Sequence, residues 1–401
     1  MKLAVTNAQM KKAEINADAN GVPFLQLMKN AGEACFNRIC QLSGGVKDKN
    51  IVVLAGRGNN GGDGFVTARY LADVGMKVSV VLAAGDPETE LAGYEYCELS
   101  GCGGIDVLNL NDNIDAVFSL FSSSALIVDA VYGTGFHGEL APQIKACFSY
   151  ASRCGKIIVA MDIPSGGNCN TGEADENTLH CDHTVTFGCM KVGMLSEPLK
   201  SLCGKITVAD IGFKKEAFAA EKYLAAELDE DYVYSLFPKR QENSYKNRFG
   251  RLLVAAGSRC MSGAAQLAVS AALRSGTGIC TLASTDTVIN RIASAVPEAT
   301  LLPLETSADG SISAQNTDLL KAELTKFSAV LIGPGLSVSK DTSAVTEFII
   351  KNADCPVILD ADGINCILDR IDIIRSTKNK LIITPHQGEL ERLYKAAFGE
   401  E

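Results

Sequence analysis

The chain has 401 residues, 37 Lys plus Arg against 47 Asp plus Glu, a formal net charge of −10 and 47% hydrophobic residues. That hydrophobic share excludes a disordered chain, and the length allows two domains of roughly 100–200 residues each. The acidic balance argues against nucleic acid or an anionic membrane surface as the main partner, and no stretch approaches the roughly 18 uninterrupted apolar residues of a membrane span. The opening Met1 to Thr6 runs into polar helical sequence with no signal-peptide apolar core. The 14 cysteines are scattered and contain no Cys-x-x-Cys. That pattern suits neither a zinc ribbon nor a disulfide scaffold, so a reducing cytoplasm is the expected setting. His180-Cys181-Asp182-His183 leads into a predicted strand without a second ligand cluster and is not read as a metal site.

In chain order, Thr6 and Gln9 form a capping box that predicts a helix to about Ala19, stopped by Asn20-Gly21. A second helix is expected from Phe24 to Cys40, with Leu25, Met28, Ala31 and Cys35 on one face. Short apolar runs then alternate with helical stretches: Ile51–Ala55, Lys77–Leu82, Ala125–Val128, Ile157–Met161, Thr184–Phe187 and Ile206–Val208, with a helix over Phe65–Val74. Continuous Val/Ile/Leu runs of this kind predict a parallel sheet covered on both faces. Residues 1–215 are therefore expected to form a Rossmann-like, doubly wound α/β domain. Residues 216–240 are charged, lack a clear buried strand and read as a linker with a helix. A second α/β series fills 241–401, with strands at Leu252–Ala256, Ile279–Ala283, Ala329–Ile332, Val357–Asp360 and Leu381–Thr384 and an Ala-rich helix over Gly263–Ser275.

The segment Ala55-Gly56-Arg57-Gly58-Asn59-Asn60-Gly61-Gly62-Asp63-Gly64 follows a predicted strand and opens a helix. Its glycines permit close backbone approach, and its N–H groups with the helix N-terminus favour an anion. It is neither a clean dinucleotide fingerprint nor a Walker loop. Three further strand ends converge on it: Asp129 with Gly133-Thr134-Gly135-Phe136-His137-Gly138-Glu139, Asp162 with Pro164-Ser165-Gly166, and Phe187 with Lys191. The carboxyl ends of strands in an open α/β sheet form the ligand crevice. A lone strand-end Asp is usually a helix cap. Two such acids, an Asn-Asn pair and a Lys around one glycine-rich loop are better explained by a site.

The strings Gly-Asn-Asn-Gly-Gly-Asp-Gly, Asp-Ala-Val-Tyr-Gly-Thr-Gly and Asp-Ile-Pro-Ser-Gly, with Leu27-Met28-Lys29-Asn30-Ala31-Gly32, resemble the NAD(P)H-hydrate epimerase family over about residues 5–212. The resemblance implies interconversion of the R and S epimers of a hydrated NADH or NADPH at ring carbon 6. It implies dinucleotide contacts from Asn59, Asn60, Gly61, Gly62 and Asp63 and from Gly133 to Glu139, with Asp162 at the reacting end. It also implies a potassium ion held by Asn60, Asp129 and Ser165, a set of hard oxygen donors. Epimerisation at a carbinolamine carbon needs proton transfers. Asp162 is accordingly the expected acid/base, with Lys191 orienting it or stabilising charge.

In the second half, Ala256-Gly257-Ser258 to Ala265, Gly333-Pro334-Gly335, Asp360-Ala361-Asp362-Gly363 and Thr384-Pro385-His386 each follow a strand, and with Val296-Pro297-Glu298 they resemble the ribokinase-like ADP-dependent NAD(P)H-hydrate dehydratases. The resemblance implies substrate contacts from Ala264, Gly335 and His386, ADP as the driving nucleotide with magnesium as its companion, and self-assembly into homo-oligomers. His386 on its own also reads as a strand-end His with a satisfied hydrogen bond. Gln387 stands where that family usually has Pro. The family's Gly-Thr-Gly-Asp loop, carrying the expected base, does not occur after Thr384. A ribokinase-like domain usually needs on the order of 250 residues, so the second domain is expected to be incomplete, weak or inactive as a dehydratase, and to present an open sheet edge. A small-molecule kinase fits poorly without that loop. A non-catalytic binding scaffold fits poorly with Asp129, Asp162 and the intact glycine-rich loop.

Overall fold

A computed structural model describes residues 2–43, 50–218, 225–237 and 242–399. The chain divides into two compact units, residues 1–238 and 239–401.

The first unit begins with a strand that the sequence hid, β1 (Lys2–Val5), followed by α1 (Asn7–Ala19) and α2 (Phe24–Ser43). Thr6 caps α1 in the expected box with Gln9. The main sheet holds β2 (Asn50–Ala55), β3 (Lys77–Leu82), β4 (Ile105–Asn109), β5 (Leu126–Ala130), β6 (Ile157–Met161), β7 (His183–Phe187) and β9 (Lys205–Ala209), with the two-residue β8 (Met190–Lys191) lying outside it. Its order is β4-β3-β2-β5-β6-β7-β9, and every pairing is parallel. Successive residues of β2 feed opposite faces: Ile51, Val53 and Ala55 join one apolar cluster, Val52 and Leu54 the other. That period of two is why the strands read as unbroken apolar runs.

Strands β2, β3 and β4 progress to one edge, and β5, β6 and β7 to the other. The order therefore reverses between β2 and β5, and that switch point is where ligands bind in open α/β sheets. Helix α3 (Asn59–Asp73) starts inside the glycine-rich segment, six residues before the predicted Phe65. The glycines are needed for packing: a Cβ on Gly61 would lie 1.9 Å from the Gly56 carbonyl oxygen, and one on Gly62 would meet the Met28 side chain at 2.7 Å.

The segment assigned to a linker contributes structure of its own. Within it, β10 (Ala225–Glu227) pairs antiparallel with β1, which pairs parallel with β8 on its other side. A helix spans Glu230–Leu236. Residues 219–224 and 238–240 of that segment lie outside the described residues.

The second unit is a six-stranded parallel sheet of order β13-β12-β11-β14-β15-β16. Its strands are β11 (Arg251–Ala255), β12 (Ile279–Thr285), β13 (Thr300–Leu304), β14 (Ala329–Ile332), β15 (Val357–Leu359) and β16 (Leu381–Ile383). Strand β13 escaped the sequence because it is an edge strand, carries Pro303 and leaves Thr300, Leu301 and Pro303 exposed. At the opposite edge β16 pairs with β15 alone among the described residues, and Ile382 is 51% exposed. No helix among the described residues is long and apolar enough to cross a membrane, and all fourteen cysteines are free.

Candidate active site

At the switch point of the first unit lies a cavity of about 410 Å³. The first turn of α3, the loop after β5, the end of β6 and one face of α1 line it. Asn59, Asn60, Asp63, Gly133, Thr134, Gly135, Phe136, Asp162 and Lys191 all reach it. Gly61 and Gly62 do not: they are the packing glycines of α3. His137, Gly138 and Glu139 are exposed and lie away from it, with Glu139 paired to Lys145 at 3.2 Å. The loop turns outward after the buried Phe136, so its second half is not a wall of this cavity.

The chemistry gathers at Asp162. Its backbone is left-handed, φ 65°, a conformation rare outside glycine and one that clusters at functional sites. Its N–H donates to Val185 O at 2.8 Å. Its carboxylate Oδ1 accepts from Thr186 Oγ1 at 3.2 Å and from Phe187 N at 3.3 Å. The Lys191 ammonium donates to the same oxygen, to Thr186 Oγ1 at 2.8 Å and to Phe187 O at 3.1 Å. Lys191 is 0% exposed, so removing its partner would strand a buried charge. Lys191 lies in β8 rather than at the end of β7, and β1 fixes it there through the Val5–Lys191 register.

Two further carboxyl groups face this pair. Asp63 is held well above the usual carboxylate range, first by burial and then by the negative Asp162 and Glu14 nearby. Glu14, from α1, is raised to about 6, first by burial and then by Asp162, with Lys191 and Lys11 opposing. Glu14 was missed in the sequence, although it falls one turn after Met10 and both line the cavity. Thr186 and Tyr132 were also missed. Thr186 links Asp162 to Lys191, and Tyr132 lines the cavity.

Asp129 is wholly buried within β5 instead of closing it. It accepts from Ser165 N at 2.8 Å, Ser165 Oγ at 2.6 Å and Val131 N at 3.3 Å. Burial nevertheless raises it to about 6, the hydrogen bonds only partly offsetting that. Ser165 Oγ accepts in turn from Tyr132 N at 2.7 Å. Asn60 is 9% exposed, lies against Gly133, and neither its amide oxygen nor its nitrogen has a hydrogen-bond partner. A buried carboxylate without an ion pair among the described residues, the Ser165 hydroxyl bonded to it, and the orphaned Asn60 amide oxygen against Gly133 are hard oxygen donors of the kind that hold a cation.

In the second unit the loops after β11 and β14 touch. Gly257 N donates to Pro334 O at 2.8 Å, and a Cβ on Gly335 (φ 64°) would stand 2.8 Å from Ala264 Cβ. Ser337 Oγ donates to Ser258 Oγ at 3.0 Å and Ser337 N to Asp362 Oδ2 at 2.9 Å. Ala264 and Gly335 thus come together. His386 follows β16, two strands from β14, which at about 4.8 Å per strand is about 10 Å. It caps the helix Gln387–Phe398, its Nδ1 accepting from Gly388 N at 3.1 Å, and its Nε2 is 3.3 Å from Glu389 Oε1. Its side chain is 69% exposed.

Comparison with known proteins gives both halves a counterpart. The family model described as YjeF-related protein N-terminus matches residues 25–193, and that described as NAD(P)H-hydrate dehydratase matches residues 252–401. The chain is 32% identical over 398 residues to the bifunctional NAD(P)H-hydrate repair enzyme Nnr of Moorella thermoacetica, spanning 97% of this chain and 74% of that protein. The protein of the same name from Coxiella burnetii is 30% identical over 400 residues, 100% of this chain and 77% of the relative. A solved ADP/ATP-dependent NAD(P)H-hydrate dehydratase from Bacillus subtilis is 31% identical with a TM-score of 0.33, covering 41% of this chain and 54% of that one.

Proposed function

This chain belongs to the bifunctional NAD(P)H-hydrate repair enzymes, and from that premise we propose that residues 1–215 form the epimerase domain, with Asp162 and Lys191 at the reacting carbon of a hydrated NADH or NADPH. The observation that carries this reading is the buried Asp162–Lys191 pair in the switch-point cavity. Asp162 transfers the proton that loss and return of the C6 hydroxyl require. Lys191, with Thr186, keeps the carboxylate oriented. Asn59, Asn60, Asp63 and Gly133 to Phe136 bind the dinucleotide, whose phosphates meet backbone N–H groups and the N-terminus of α3. The expectation for His137, Gly138 and Glu139 is narrowed accordingly to an outer contact.

Asn60, Asp129 and Ser165 would hold potassium, which would supply fixed positive charge and so let Asp129 stay ionised. Residues 241–401 are proposed as the dehydratase domain, with Ala264 and Gly335 as one substrate wall and His386 as another, and with ADP and magnesium as its nucleotide partners. Self-association and a cytoplasmic setting complete the reading.

The test is to incubate the protein with a mixture of hydrated NADH epimers and follow their ratio by chromatography. Exchange faster than without protein supports the epimerase. Loss of the S form only when ADP is added supports the dehydratase, and no change in either would leave a binding scaffold.

A further inference from the structure

We propose that Glu14 is a second catalytic carboxyl group of the epimerase site, exchanging a proton with the C6 hydroxyl on one face of the ring while Asp162 serves the other face. This rests on the epimerase reading and assigns it a residue from outside the strand ends. Inverting a carbinolamine carbon by loss and return of hydroxyl needs a proton donor where the oxygen leaves and an acceptor where it re-enters. Those positions lie on opposite faces, which one carboxylate fixed by Lys191 and Thr186 does not serve alone.

Glu14 is placed for the second role. It projects from α1 into the same cavity as Asp162 and Lys191, and α1 forms a wall distinct from the β6 end that carries Asp162. Among the described residues no hydrogen bond or ion pair holds its carboxyl group, so it is free to engage a substrate. The charged groups around it are Asp162, Lys191 and Lys11, with Asp63 beyond. Burial together with Asp162 raises it to about 6, which suits a group that must be protonated in part of its cycle.

The step balances. Glu14 gives its proton to the C6 hydroxyl. The C6–O bond breaks with its electron pair going to oxygen, and water leaves. The lone pair on the ring nitrogen forms the C6=N bond of an iminium ion. Water then adds to the opposite face, forming a new C6–O bond and giving its proton to the Asp162 carboxylate. Nothing is oxidised or reduced. The enzyme is left with Glu14 ionised and Asp162 protonated, the state that converts the opposite epimer. Asp63, although also raised, lies on the α3 side with the dinucleotide loop, which assigns it to binding.

The experiment measures exchange between the epimers, each supplied pure, as a function of pH for wild type, Glu14→Gln, Glu14→Asp and Asp63→Asn, with melting curves for each. Wild-type kcat/KM should fall as pH rises above about 6, where Glu14 loses its proton. Glu14→Gln should lower kcat by about 10²- to 10⁴-fold, leave KM nearly unchanged, and abolish that alkaline limb. Glu14→Asp should restore part of the rate together with the limb. An unchanged rate and limb in Glu14→Gln would overturn the proposal while leaving the epimerase intact. So would a slower enzyme with an unshifted profile, or loss of the limb in Asp63→Asn alone. Wild type showing no exchange above the protein-free rate would overturn the epimerase reading itself.

Discussion

The loops that open α3 in the first unit and the Ser262–Arg274 helix in the second are built alike and surrounded differently. Both follow a parallel strand beside the switch in strand order; in the first a Cβ on Gly61 would strike backbone, while in the second one on Gly257 would strike the Val288 and Ala265 side chains. Around the first loop stand a buried lysine, four carboxyl groups (Glu14, Asp63, Asp129 and Asp162) and an unpartnered asparagine. Around the second stand Ser258, Ser337 and Asp362, already joined by hydrogen bonds. A glycine-rich strand-to-helix turn makes a seat for a ligand. The side chains brought to it by neighbouring strands decide whether anything reacts there. Charges that are buried without full compensation mark the first seat as reactive.

The largest expected effect breaks the comparison on the reactive side. Asp162→Asn should cut epimer exchange by about 10²- to 10⁴-fold, read by chromatography beside a melting curve, because it also leaves the buried Lys191 ammonium without its partner. An unchanged rate would remove the distinction between the two seats. Next, glycine packing should matter equally in both. Gly61→Ala places a Cβ 1.9 Å from the Gly56 oxygen, and Gly333→Ala places one 1.8 Å from the Asp360 oxygen. Each should cost about 3 kcal/mol or more in denaturant unfolding. A tolerant Gly333 would show that the loop after β14, which packs against the second seat, is looser than it looks.

Glu14→Gln sharpens the contrast through pH. A carboxyl raised from 4.5 to about 6 favours the folded state most fully below about 4.5, and that contribution is lost as pH rises through about 6. At pH 8 the variant should therefore be more stable than wild type by up to about 2 kcal/mol, the gap closing towards pH 4. A gap that does not depend on pH would contradict the assignment. The smallest effect is the cation's. Potassium at 100 times its dissociation constant should stabilise the first unit by about 2.7 kcal/mol, raising its melting temperature by several degrees. Sodium should do less, and Asn60→Ala should remove the difference.

Much of this arrangement was legible beforehand. Strands β2, β5, β6 and β7 are buried on both faces and so announce themselves as apolar runs, and the glycine-rich loop with Asp162 pointed to the cavity. What stayed hidden depends on distant pairing. Strand β1 is four residues long, and its partners lie at Met190–Lys191 and Ala225–Glu227. No local pattern could show that it seats Lys191 beside Asp162. Glu14 looked like one more polar residue of an otherwise polar helix, because only the fold turns that face of α1 into the site. His137 to Glu139 continued a recognisable loop string, but the chain turns away once Phe136 is buried.

The most direct test of the central claim is a time course from the pure R form of hydrated NADH, run without ADP, for wild type and Asp162→Asn side by side. Wild type should produce the S form until the ratio stops changing, and Asp162→Asn should form it about 10²- to 10⁴-fold more slowly. Equal curves for the two proteins, or a wild type no faster than buffer, would contradict it.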